Sequence, residues 1–119
     1  MLFGEHMNRK KVYIAGPMSG LPDCNRPAFN LAAQVQKSLT HIVLNPATLP
    51  AGLSEPEYMQ IGLTMLMCSD MIYMLDGWEQ SHGARAEHAL AQKLGLHIVY
   101  QEGIDHEIAL IGLVGEEHF

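Results

Sequence analysis

The chain has 119 residues, 48% of them hydrophobic and 17% charged, which is enough for one domain with a buried core and too short for two. That balance excludes a disordered tail and a disulfide-stapled miniprotein. Seven Lys+Arg against 13 Asp+Glu give a formal net charge of −6, which argues against a sequence-independent grip on a nucleic-acid duplex, because that grip needs Lys and Arg to neutralise phosphates.

The first eight residues, MLFGEHMN, carry no periodicity and read as an N-terminal extension, leaving 9–119 as a single domain. Val12–Ala15 is a short apolar run ended by Gly16-Pro17, and Pro27 to Leu39 is long enough for a helix. His41–Leu44 is a second such run, stopped at Asn45-Pro46, and Glu55 to Ser69 suits a second helix. Met71–Leu75 stops at Asp76-Gly77, after which His82 to Leu94 is helical, with Gly95 where a C-cap belongs. Leu96–Tyr100 makes a fourth strand, and about Asp105 to Val114 fits either a helix or another strand.

Apolar runs of four or five residues closed by turn formers are the pattern of strands buried on both faces. Alternating with helices of this length, they predict an α/β three-layer sandwich. Its doubly wound, mainly parallel sheet has about five strands, in the flavodoxin-like or Rossmann-like manner, joined by right-handed crossovers. Ligands in such sheets bind outside the carboxyl ends of the strands, so the residues following Ala15, Leu44 and Leu75 are where a site is expected.

Cys24 and Cys68 form no CxxC pair and read as free thiols of a reducing cytosol. The seven His residues lack HxxxH or HExxH spacing, so no metal site is expected. No apolar run approaches the roughly 18 residues of a membrane span, which predicts a cytoplasmic chain with no membrane partner. Met59, Met65, Met67, Met71 and Met74 are expected to fill the core.

Two segments carry candidate chemistry. In Gly16-Pro17-Met18-Ser19-Gly20 the glycines let backbone approach a ligand and Ser19 adds a hydroxyl, although the same residues also suit an ordinary turn. In Ser81-His82-Gly83-Ala84-Arg85-Ala86-Glu87, Ser81 is placed to N-cap the third long helix, whose positive end then faces an anion. On a helical wheel Glu87 falls between Leu94 and Ala91, flanked by Leu90 and Ala84, with Arg85, His88 and Gln92 on the solvated side. A carboxylate on an apolar arc has its pKa raised by desolvation, as catalytic carboxylates do. A buried glutamate satisfied by a structural partner is the other reading. Gly83, Ala84 and Ala91 leave room beside it for a ligand. Trp78 and Asp76, at the end of the third strand, are possible base or sugar contacts, and Trp78 equally suits packing.

These stretches, with Tyr13-Ile14-Ala15-Gly16-Pro17-Met18-Ser19-Gly20, Asn25-Arg26-Pro27-Ala28-Phe29-Asn30, Asn45-Pro46-Ala47 and Gly77-Trp78-Glu79-Gln80, resemble the nucleoside 2-deoxyribosyltransferase superfamily. Within it the chain is most similar to small DUF4406-type proteins. The resemblance implies that Glu87 is the nucleophile at C1′ of a 2-deoxyribose and that Tyr13 holds it. Ser81 matches the serine that 2′-deoxynucleoside 5′-phosphate N-hydrolases use for the 5′-phosphate, with Gly16, Ser19, Gly20 and Gly83 completing a cradle.

The implied activity is N-glycosidic cleavage or base exchange on a (deoxy)nucleoside 5′-monophosphate, with no cofactor. The implied assembly is a homodimer or larger homo-oligomer, to which the segment after Tyr100 contributes. The superfamily's catalytic aspartate, eight residues ahead of an Asp like Asp70, is Gly62 here. That departure makes a weak or inactive nucleotide-binding protein the alternative expectation.

Overall fold

Residues of the first strand alternate between two apolar environments, and this alternation sets the layers of the molecule. A computed structural model describes residues 9–101. It places β1 at Lys11–Ala15, α1 at Arg26–Ser38, β2 at Ile42–Leu44, α2 at Glu55–Met67, β3 at Met71–Met74, α3 at His82–Leu94 and β4 at His97–Tyr100. Single 3-10 turns at Pro22–Asn25, Pro46–Thr48 and Trp78–Gln80 shape the loops after β1, β2 and β3. The strands are all parallel in the order β2-β1-β3-β4, with Val12 opposite Val43 on one side and Met71 on the other. This is the flavodoxin-like order, in which the chain winds outward in both directions from β1.

On one face Val12, Ile14, Tyr73 and Leu75 pack with Phe29 and Ala32 of α1. On the other, Tyr13, Ala15, Ile72 and Met74 pack with Leu66 of α2 and Ala84 and Ala91 of α3. The result is the expected three-layer α/β sandwich. The sheet has four strands among the described residues rather than about five, and the segment near 105–114 lies outside them. Burial on both faces holds for β1 and β3, whereas β2 and β4 each pair with one neighbour among the described residues, and Ile42 and Tyr100 are exposed.

Local chemistry fixes the helix ends. Ser54 and Glu57 form a reciprocal capping box at the start of α2, and Ser81 Oγ accepts the Ala84 N–H at 3.1 Å at the start of α3. Gly95, at φ +72°, closes α3 in the left-handed conformation that glycine adopts freely. The turn ahead of α1 is less ordinary, since Asp23, Cys24 and Asn25 all have positive φ. Asn25 Nδ2 donates to the Pro17 carbonyl at 2.9 Å and ties that turn to the loop after β1.

Three apolar expectations fail for reasons of reach. Leu94 is exposed because no residue of α3 beyond Ala91 is buried. Met67 is exposed because, one position past the buried Leu66, it is turned about 100° away from the core. Met59 faces a cleft rather than the interior. Met71 and Met74 are buried and Met65 packs against the core as expected.

Candidate active site

Tyr13 points to the α2–α3 side of β1, where its ring is fully covered and its hydroxyl reaches across to α3. There Tyr13 Oη donates to Glu87 Oε2 at 2.5 Å. Glu87 lies in the second turn of α3 between Ala84 and Ala91, small residues that bring the helix close to the sheet, and only 8% of it is exposed. Gly62 of α2 completes the enclosure, since a Cβ built on it would lie 2.8 Å from Tyr13 Oη and 2.9 Å from Glu87 Oε2. Three elements thus converge on one carboxylate.

Burial raises the Glu87 carboxyl from its ordinary 4.5 to about 7, the hydrogen bond from Tyr13 pulling the other way by less. Burial, the neighbouring Glu87 charge and their hydrogen bond together push Tyr13 far above its ordinary range. The phenol therefore stays protonated and able to donate to the carboxylate, while Glu87 changes charge near neutrality.

The pair forms part of the wall of a cleft of about 240 Å³ at the carboxyl end of β1. The loop after β1 supplies Gly16, Met18 and Ser19, the turn before α1 supplies Cys24, and the start of α1 supplies Arg26 and Phe29. Pro46, Ala47 and Leu49 follow β2, Glu55, Tyr58 and Met59 come from α2, and Gly83 and Ala84 lead into Glu87. Asn45 braces this wall, its Oδ1 capping the Ala47 N–H and its Nδ2 donating to Asn30 Oδ1, each at 3.0 Å.

Of the residues expected at the site, Tyr13, Gly16, Ser19, Gly83 and Glu87 meet in this cleft. Gly16 has a packing reason as well, because a Cβ there would lie 2.7 Å from Leu75 Cβ where β1 and β3 end. Ser19 Oγ is already engaged, donating to Glu55 Oε1 at 3.0 Å. Gly20 makes a turn at φ +81° with open space around it and is not part of the wall. Ser81 also stands off the wall, its Oγ accepting the Ala84 N–H at the N-cap. Asp76 is exposed beside Gln101, whose Oε1 accepts its backbone N–H. Trp78 stacks on His88 at a centroid distance of 4.2 Å, close to Tyr100, and neither Asp76 nor Trp78 lines the cleft.

Sequence reasoning missed Arg26, Glu55, Tyr58 and Met59. The α2 residues were findable, because 55, 58, 59 and 62 repeat at i, i+3, i+4 and i+7 and so share one helix face. Arg26 had no periodic signal, since its position depends on the left-handed turn before α1. It is the one Lys or Arg on the described cleft wall, and its Nη1 donates to Asp23 Oδ1 at 3.0 Å.

Among the described residues Cys24 and Cys68 are free thiols, and no group of three or more His, Cys, Asp or Glu is arranged to hold a metal ion. No described helix is long and apolar enough to cross a membrane. A family model described as "Domain of unknown function (DUF4406)" matches residues 10–100, a span that takes in all four strands and the whole cleft wall. No curated protein matches the chain.

Proposed function

The chain belongs to the DUF4406 family, and from that premise we propose that it is an N-glycosidase acting on a (deoxy)nucleoside 5′-monophosphate, with Glu87 as nucleophile. The observation that carries this reading is a buried carboxylate, held by a single tyrosine donor, facing a cleft at the carboxyl end of the central strand. The motif resemblance to nucleoside 2-deoxyribosyltransferases supports it, because the nucleophile and its tyrosine in those enzymes match Glu87 and Tyr13.

In this mechanism the Glu87 oxygen that Tyr13 leaves free attacks C1′ as the C1′–N bond breaks, through an oxocarbenium-like transition state. The bond's electron pair departs on the base, which takes a proton from solvent. Water then attacks C1′, breaking the C1′–O bond to Glu87 and losing a proton to solvent, which releases the sugar phosphate and restores the carboxylate; a second base in place of water gives exchange instead of hydrolysis. Tyr13 donates throughout and fixes the direction of the carboxylate. Attack needs the ionised form, so activity rises with pH through about 7. Arg26, together with the start of α3 at Gly83, is the counterpart for the phosphate. The cleft of about 240 Å³ lies below the usual range of about 300–1,000 Å³ for ligand pockets, so the ligand proposed for it is a single nucleotide and nothing larger. The protein acts in the cytoplasm as a homo-oligomer and needs no cofactor.

A second reading rests on Gly62. With no carboxylate there to protonate the leaving base, the same cleft would bind a nucleotide and turn it over slowly or not at all. One experiment separates the two. The protein is incubated with a panel of deoxynucleoside and nucleoside monophosphates, and free base is followed by chromatography beside a Glu87→Gln control. Base release that the control lacks is the expected result. Release no greater than the control defeats the glycosidase reading, and calorimetric binding in the same samples then selects the second.

A further inference from the structure

Gly62 is buried in the middle of α2, where glycine is among the least favoured residues. Its backbone does not require glycine, because the positive-φ glycines among the described residues are Gly20, Gly52, Gly77 and Gly95. The requirement is steric, set by the Tyr13 hydroxyl and the Glu87 carboxylate lying within 3.0 Å of where a Cβ would stand. These two neighbours differ in freedom. The Tyr13 ring is buried and packed in the core beneath α2 and α3, whereas Glu87 has a flexible stem with the cleft beside it.

We propose that Gly62 is the positioning residue for Glu87: its missing side chain is the slot into which the carboxylate withdraws to meet Tyr13, and any side chain there sends that carboxylate out into the cleft. The idea deepens the glycosidase reading by saying what holds the nucleophile back, but its geometry does not depend on that reading. It also means that aspartate at this position would do more than add a proton donor, because its Cβ would reset the nucleophile.

Moving the carboxylate has two opposed effects on its affinity for a proton. Hydration in the cleft lowers the affinity and loss of the Tyr13 donor raises it. Burial is the larger influence in the present structure, so the net change on expulsion is downward. The other titratable or charged groups on the cleft wall are Cys24 in the turn before α1, Arg26 at the start of α1, and Glu55 and Tyr58 on α2. Of the cleft groups, Tyr13 is the one hydrogen-bonded to Glu87.

The test is an NMR titration of the side-chain carboxyl carbon of Glu87 in protein labelled with ¹³C-glutamate, the signal being assigned by its loss in Glu87→Gln. The midpoint is expected near 7 in the unmodified protein and lower by about one pH unit or more in Gly62→Ala. A midpoint unchanged or raised in folded Gly62→Ala would overturn the proposal. Should Gly62→Ala not fold, the same substitution is made in a Tyr13→Phe/Glu87→Ala background, where both close atoms are gone. The Tm is expected to equal or exceed that of the background, and a lower Tm would show that the clash lies elsewhere and overturn the proposal. Neither readout needs turnover, so a protein that releases no base loses the glycosidase reading while leaving this one to stand or fall alone.

Discussion

Glu87→Gln keeps the shape of the side chain and removes its ionisation, which isolates what the buried carboxylate does to the stability of the fold. The folded state raises the Glu87 pKa from 4.5 to about 7, so it favours the neutral acid. The associated stabilisation is fully present below 4.5 and is lost as the pH rises through 7. At about 1.4 kcal/mol per tenfold change in proton affinity, that climb corresponds to about 3 kcal/mol across the interval. Unmodified protein and Glu87→Gln should therefore differ in pH slope. Relative to its standing near pH 4.5, the variant should gain about 3 kcal/mol over the unmodified protein by about pH 8. Urea denaturation at half-unit steps of pH measures this directly, because the difference between the two proteins cancels every other titrating group. Parallel stability curves would refute the reasoning, since they would mean that Glu87 is solvated in the folded state.

Tyr13→Phe removes the donor that opposes burial, so the titration midpoint of Glu87 should move above 7. The same variant should lose about 1–3 kcal/mol of stability near pH 9, where the carboxylate is charged and unpaired, and less near pH 5. Gly16→Ala places a Cβ 2.7 Å from Leu75 Cβ and should cost about 1–3 kcal/mol by overpacking the junction of β1 and β3, read as a fall in the urea midpoint with an unchanged slope. Arg26→Gln should weaken calorimetric binding of a nucleoside monophosphate by about tenfold or more, the worth of a charge-assisted hydrogen bond. Binding of the matching nucleoside should be unaffected, and equal loss for both ligands would remove Arg26 from the phosphate site.

The layers were legible in the sequence because short apolar runs closed by turn residues and helices closed by Ser81 and Gly95 are local signals. Glu87 was legible because a wheel shows which face a residue takes. The wheel does not show how far a face reaches, which is why Leu94 and Met67 were misplaced. Whether a strand lies at the edge depends on which strands pair, and nothing inside the run from Ile42 to Leu44 encodes that. Gly62 showed itself as an oddity in a helix, but its neighbours Tyr13 and Glu87 become visible only when β1, α2 and α3 are stacked. Trp78 illustrates the converse, since a lone aromatic after a strand carries no mark of whether its partner is a ligand or, as here, His88.

The parallel sheet has a consequence for the order in which the chain becomes competent. Among the described residues no hairpin joins two neighbouring strands, so each of these ladders must close across an intervening helix, the kind of non-local pairing that slows folding. The Tyr13–Glu87 bond spans 74 residues, more than any other side-chain hydrogen bond among the described residues, and its geometry requires β1 in the sheet with α3 docked on it. A nascent or partly unfolded chain has strands and helices but no oriented carboxylate. The Tyr13–Glu87 pair is therefore assembled only when β1 and α3 are both in place, so release of α3 alone would undo it while the ladders of the sheet could remain paired.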